Sequence, residues 1–183
     1  MDNKRYFTEG CYPTVEKSCC RIQNRCDLNR LYNLYGGKCG IVTAAMQYRY
    51  NSFALATDKI YWAAEEFKNL SDAKLYHMGL LADAIFSLGG NPELCRNTCW
   101  NGCFLNYSGN PCGICRKAAA YEDFLKQQFL KAAECTENYS IKKLLTHIGA
   151  DTARHTEILK NIYSELGCED SGCKNCRCKC KNL

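Results

Sequence analysis

His77 is the side chain whose type and position best suit it to chemistry. It lies on what reads as the buried face of a helix, with Leu75, Met78, Leu81, Ala82, Ile85, Phe86 and Leu88 recurring at helical spacing. Its i−3 neighbour is Lys74. In a four-helix bundle that holds two metal ions, that neighbour is the glutamate of a Glu-x-x-His pair. An ammonium in that place changes the chemistry open to the imidazole. The second reactive set is the thiols, 16 of them in 183 residues. Such density is usual in small secreted disulfide scaffolds.

Length and charge narrow the classes. The chain is long enough for one domain with a sizeable core and appended arms. A formal charge of +5, with Lys and Arg scattered except near the C-terminus, argues for no nucleic-acid partner. No apolar run approaches the roughly 20 residues of a membrane span, so no membrane insertion is expected. Met1 to Glu9 lacks the apolar core of a secretion signal, which implies synthesis in the cytoplasm.

The elements that must position His77 follow from periodicity. Residues 1–38 read as an irregular cysteine-containing arm with a short helix around Leu28, Leu31, Tyr32 and Leu34. A first long helix is predicted from Cys39 to Thr57, with Val42, Ala45, Met46, Arg49, Tyr50, Phe53 and Leu55 as candidate buried or half-buried positions. Asp58 is the expected N-cap of a second, which ends at Leu88-Gly-Gly-Asn-Pro92. A long Gly-, Asn- and Cys-rich connection then leads to a third helix, Ile114 to Cys135. After a break at Thr136 to Ser140, a fourth carries the stripe Ile141, Leu144, Leu145, Ile148, Thr152, His155, Ile158, Leu159 and Ile162, and Gly167 stops it. The expected organisation is an N-terminal arm (1–38), a bundle (39–166) and a cysteine-rich tail (167–183). Two tight helical hairpins joined by one long crossover fit either an ordinary helical bundle or the ferritin-like topology.

Four segments resemble the ferritin-like superfamily, in its order and spacing. They are Thr43 to Tyr50, His77 to Pro92, Trp100-Asn-Gly with Asn106-Tyr107, and Arg154 to Leu159. The likeness is greatest to rubrerythrin and manganese-catalase-like members, including those of spore coats. It implies an all-α, ferritin-like four-helix bundle with its long crossover between helices two and three, plus cysteine-rich N- and C-terminal arms. Enzymes of the family place a Glu on helices one and three and Glu-x-x-His on helices two and four. Laid on this chain, the pattern puts Ile41, Lys74, Lys117 and Thr152 where the four glutamates belong, and keeps His77 and His155. Two imidazoles bring no charge, and two ammoniums bring the wrong sign for a pair of dications. The expectation is therefore no metal cofactor, no catalytic residue and no enzymatic activity, with both histidines satisfied in the core. Other helical carboxylates (Glu65, Glu66, Asp72, Asp83, Glu122, Asp123, Asp151) leave a relocated metal site as the alternative. The resemblance also implies that Trp100 and Tyr107 are largely buried across the bundle end.

The cysteines avoid the middles of the helices. Cys11, Cys19, Cys20, Cys26, Cys168, Cys173, Cys176, Cys178 and Cys180 fall in the arms and read as cross-linking thiols. Cys39, Cys95, Cys99, Cys103, Cys112, Cys115 and Cys135 read as structural. A small buried hydrophobe is the plain role for a cysteine. Cys112-x-x-Cys115 with Cys173-x-x-Cys176 also has the spacing of one zinc site. Thiols at both ends of a rigid body instead suit disulfide links between copies.

Together these features lead to the expectation of a structural protein that self-assembles into a disulfide-cross-linked two-dimensional lattice or shell, with itself and other coat-layer proteins as partners. Through the resemblance, its place would be a spore coat or exosporium. Ordering of the arm is expected from Tyr6, Phe7, Tyr12 and Leu31 packing on a neighbouring bundle. The alternatives are a metalloprotein of the rubrerythrin or catalase type and a thiol-based zinc module.

Overall fold

The computed structural model describes residues 3–15, 25–96, 99–107 and 109–168. Among them are five α-helices: α1 (Arg25–Gly36), α2 (Ile41–Thr57), α3 (Tyr61–Ser87), α4 (Pro111–Glu134) and α5 (Tyr139–Glu165). Short 3-10 turns cover Asn3–Tyr6 and Gly102–Phe104. The hairpin partners are α2 with α3 and α4 with α5, and the crossover joins the two hairpins. Phe67, Leu70, Leu81 and Ile85 of α3 meet Leu125 and Phe129 of α4 and Leu144, Ile148 and Leu159 of α5 in one core. Burying each of these large side chains contributes roughly 1.5–3 kcal/mol.

The helix ends have local causes. Asn110 accepts a hydrogen bond from the Gly113 amide at 2.7 Å, with Pro111 in the first turn, where it needs no amide partner. Asn138 caps α5 through the Ile141 amide at 3.1 Å. Gly89 and Gly167 take φ of +77° and +67° just past α3 and α5, a conformation that glycine adopts without strain. Asp58 corrects its expectation: it is the C-cap of α2, not the N-cap of α3. The Asp58, Lys59 and Ile60 amides turn back onto the carbonyls of Ala54, Ala56 and Leu55, which closes the hairpin before a new cap is needed.

The inner faces are more polar than the apolar pattern suggested. Ser71, Lys74 and His77 all lie on the buried side of α3, whereas Phe86 and, on α2, Phe53 are exposed. The N-terminal segment also departs from expectation. Tyr6 and Leu31 are buried against this chain's own bundle, and Phe7 and Tyr12 pack on the same core. α1 lies across the end of the bundle, where its buried Asp27 accepts a 2.7 Å hydrogen bond from Thr136 and pairs with Arg30. The described parts of the arm therefore pack on this chain's own core rather than on a neighbouring copy.

Packing of α1 on the end of α3 depends on Gly90. A Cβ there would stand 2.5 Å from the Tyr32 hydroxyl, 2.7 Å from Leu28 and 2.9 Å from Ile85. Gly90→Ala is expected to cost about 1–3 kcal/mol by overpacking, read as a lowered urea midpoint with an unchanged m-value. An unshifted midpoint would mean that α1 is not held against this turn.

The crossover is tied to α2. Trp100 is half-buried and donates its indole N–H to Thr43 at 2.9 Å. Tyr107 corrects its expectation. It is 56% exposed, because its hydroxyl turns back to the Gly102 carbonyl and its ring stacks edge-on with Tyr50 at the rim.

Candidate functional site at the bundle centre

Lys74 is fully buried, and its Nζ lies 2.6 Å from Glu122 Oε2 of α4. The other Glu122 oxygen accepts a 2.6 Å hydrogen bond from the Tyr48 hydroxyl of α2. Thr152 of α5 stands 3.5 Å from the ammonium. Four helices thus meet on one ion pair. Burial alone would raise the Glu122 pKa, but the Lys74 ammonium and the nearby His155 outweigh it and hold the carboxyl at about 2. Burial lowers the Lys74 pKa, against the pull of Glu122. The same burial raises that of Tyr48, reinforced by the Glu122 charge, so Tyr48 remains a neutral donor.

A second network adjoins the first. His77 Nε2 lies 3.0 Å from Asp151 Oδ2 and 3.2 Å from the Tyr12 hydroxyl. Asp151 also accepts hydrogen bonds from Tyr12 and from the Thr8 amide. Three donors keep Asp151 ionised, with a pKa of about 2 despite its burial. Burial pushes His77 down to about 4, with Asp151 opposing and Lys74 assisting, so His77 is neutral at pH 7. His155 donates Nε2–H to the Tyr6 carbonyl at 2.8 Å. Arg154 grips the Phe7 carbonyl at 2.7 Å, and Arg5 and Tyr6 both reach Glu66 at 2.7 Å. The N-terminal segment therefore closes this side of the centre. A cavity of about 1240 Å³ runs beside that segment, between it and α3, lined among others by Tyr12, Asp72, Tyr76, Asp83 and Phe86.

Both imidazoles leave Nδ1 buried with no hydrogen-bond partner, and their rings stack 5.8 Å apart. His155 Nδ1 is 3.8 Å from Glu122 Oε2. Anchoring one ring nitrogen and leaving the other bare is how proteins orient metal ligands. The residues nevertheless do not fit a metal pair. Glu122 is the one carboxylate on the ion-pair side, and both its oxygens are engaged. Asp151 is committed to Tyr12, Thr8 and His77, and the Lys74 ammonium stands among the donors. Two dications need bridging anionic oxygens that this centre lacks. No group of three or more His, Cys, Asp or Glu among the described residues is arranged to hold an ion.

The structure brings Lys74, His77, Thr152 and His155 together, as the register along α3 and α5 required. It does not bring Ile41 or Lys117 to them. Ile41 is buried at the start of α2, and the Lys117 side chain lies by Gly109 at the crossover's end. The side chains that reach the centre from α2 and α4 are Tyr48 and Glu122, about two turns and more than one turn further along. Glu122 and Asp151 stood among the helical carboxylates. Tyr48 and Tyr12 had no local signal, since an aromatic on a helix face or in an arm reads as packing.

The thiols divide differently from their expected grouping. Cys112 and Cys168 form a disulfide within the chain, across 56 residues, which removes Cys168 from the cross-linking set. Cys39 is also disulfide-bonded. Cys115 is fully buried, and burial pushes its pKa to about 12. With Cys112 bonded and Cys115 enclosed, the zinc site proposed for this knuckle does not form from its first half. Cys11, Cys26, Cys95, Cys99, Cys103 and Cys135 are free and exposed. Cys19, Cys20, Cys173, Cys176, Cys178 and Cys180 lie outside the described residues.

No protein-family model and no curated protein matches the sequence. Solved structures do match the fold. KatB, a manganese catalase from Anabaena, superposes with a TM-score of 0.75 at 18% identity, covering 91% of this chain and 83% of that one. A Rhodobacter capsulatus bacterioferritin with a metal-free dinuclear site gives 0.70 at 16%, covering 81% and 89%. A Desulfovibrio desulfuricans bacterioferritin with a diiron site gives 0.67 at 18%, covering 77% and 80%. The fold is ferritin-like. The expectation that the chain is not an enzyme is corrected here, because the structures that share this ferritin-like fold along most of their length include a manganese catalase. Among the described residues, no helix is long and apolar enough to cross a membrane.

Proposed function

We propose that this ferritin-like chain joins copies of itself through disulfides, its bundle serving as a rigid body that presents thiols at its ends. The observation that carries this reading is the set of free, exposed cysteines on the N-terminal segment, α1, the crossover and the end of α4, against one buried free thiol among the described residues. A rigid body with several thiols at separate ends links multivalently once a few contacts align, and unlike contact surfaces propagate into an array. Placement in a spore surface layer, beside other coat proteins, rests on the sequence resemblance and the cysteine count alone.

A second reading, a metal-handling protein of the catalase type, draws more from the structural comparisons than the first does. The observation that favours it is the pair of stacked, buried His77 and His155 rings with unbonded Nδ1 atoms, that of His155 lying 3.8 Å from Glu122. An ion there has to displace the Lys74 ammonium.

One preparation separates the two readings. Oxidised protein is expected to form oligomers that survive boiling detergent and fall apart with reductant. Replacing Cys11, Cys19, Cys20, Cys26, Cys173, Cys176, Cys178 and Cys180 by serine should leave the helical bundle folded and weaken that resistance, with Cys103 and Cys135 still able to link. Undiminished resistance in the variant overturns the linking role of those cysteines. Stoichiometric manganese or iron in the purified protein, lost in His77→Ala and His155→Ala, establishes the second reading.

A further inference from the structure

The crossover brings two of its exposed cysteines together. The Trp100 amide donates to the Leu94 carbonyl at 2.9 Å, so Cys95 and Cys99 each directly adjoin one hydrogen-bonded backbone pair. The two thiols are near enough that Cys99 is the main influence on the Cys95 pKa. Both sides of this loop are anchored to the bundle. Arg96 lies over the Tyr32 ring at 5.7 Å, and Trp100 holds Thr43 through its indole N–H. On the far side, Asn101 donates its side-chain amide to the Cys99 carbonyl at 3.2 Å. Pinning at these points fixes the two ends of the loop on which Cys95 and Cys99 sit.

We propose that Cys95 and Cys99 are a reversible dithiol–disulfide site, which closes within the chain and takes these two cysteines out of any linkage between copies. The reaction needs a disulfide oxidant such as oxidised glutathione. One of the two thiolates attacks it, forming a mixed disulfide and releasing one glutathione thiolate. The second protein sulfur then displaces the other glutathione. One S–S bond forms in the protein and one is broken in the oxidant. The two protein thiols lose two electrons and two protons, and two glutathione thiols are produced.

Proximity decides between closure and linkage. Two thiols at the ends of one closed loop have an effective concentration on the order of millimolar or above, far beyond the micromolar concentration of a second copy. Closure therefore precedes linkage, and Cys11, Cys26, Cys103 and Cys135 remain as the described exposed thiols that can reach a partner. The neighbouring Cys99 pushes the Cys95 pKa up. The exchange is accordingly expected to quicken as pH rises through and above the ordinary thiol range. The site stands whether or not copies of the chain are joined.

Trypsin provides the test, because Arg96 lies between the two cysteines. The full-length chain is equilibrated at low concentration with oxidised glutathione, alkylated and digested without reductant. A Cys95–Cys99 bond then joins peptide Leu75–Arg96 to peptide Asn97–Arg116. The link is expected in the wild type and in Cys103→Ser, and absent from Cys95→Ser and Cys99→Ser. In each of those two variants the surviving partner is expected to be alkylated or glutathionylated. Persistence of the link in Cys99→Ser assigns Cys103 as the partner and overturns the proposal. So does full alkylation of Cys95 in the oxidised wild type. Loss of oligomers in the arm variants leaves this result unchanged, so the two proposals fail separately.

Discussion

Lys74→Met is expected to destabilise the fold by about 3–5 kcal/mol, because it strands an ionised Glu122 in a dry interior. Methionine approximates the volume of lysine, so a cavity accounts for little of the loss. The Lys74 ammonium and the Glu122 carboxylate are both fully buried, and the pair is completed by Tyr48 on the second oxygen. A buried ion pair is itself no strong source of stability, since desolvation of both ions offsets most of their attraction. The double variant Lys74→Met, Glu122→Leu should therefore recover most of what the single variant loses. Urea denaturation of wild type, both single variants and the double variant measures the coupling directly. Additive losses would show that the two side chains do not meet. Lys74→Glu sets two carboxylates against each other and is expected to be worse still in metal-free solution. Added manganese should reverse that loss if the histidines can accept an ion.

Stability is expected to fall as the solution is acidified, beginning well above the carboxylate range. His77 has its folded pKa lowered from 6.5 to about 4 by burial. The unfolded chain therefore takes up this proton first, and stability declines as pH falls from 6.5 towards 4. Complete burial allows an estimate on the order of 3 kcal/mol across that window. Glu122 and Asp151 act below it. Their folded pKa values of about 2 lie under the ordinary 4.5 and 3.8, so the stability they contribute is present above those values. It is lost as pH falls towards 2. Protonating Asp151 also loosens its hold on Thr8 and Tyr12, so the N-terminal segment should detach along with the loss of stability. Urea midpoints from pH 7 to pH 3 report the decline, and His77→Gln is expected to flatten its upper part. A wild type equally stable at pH 7 and pH 4.5 would mean that His77 is solvated or already charged.

Helix-forming stretches and their stops were legible from the chain because their causes are local. Gly89, Asn138 and Gly167 end or begin helices through bonds to residues a few positions away; Asn110 and Pro111 do so too, one turn before the Ile114 start that apolar spacing indicated. The spacing that places Lys74 beneath His77, and Thr152 beneath His155, is likewise a property of one helix at 3.6 residues per turn. These features, with a long crossover between two hairpins, carried a helical bundle and half of the central site, while the ferritin-like topology came from the resemblance of four segments. The partners of that half were decided elsewhere. Whether Lys74 meets Glu122 or Lys117 depends on how far α4 has slid along α3. No spacing within either helix encodes that displacement. It is set by how Leu125 and Phe129 of α4 seat among Phe67, Leu70, Leu81 and Ile85. The same holds for the N-terminal segment. Tyr6, Phe7 and Tyr12 announce apolar surface without saying whose bundle will cover it. Only the folded chain, with Asp151 accepting hydrogen bonds from Thr8 and Tyr12 and His155 donating to the Tyr6 carbonyl, brings that segment down on its own core.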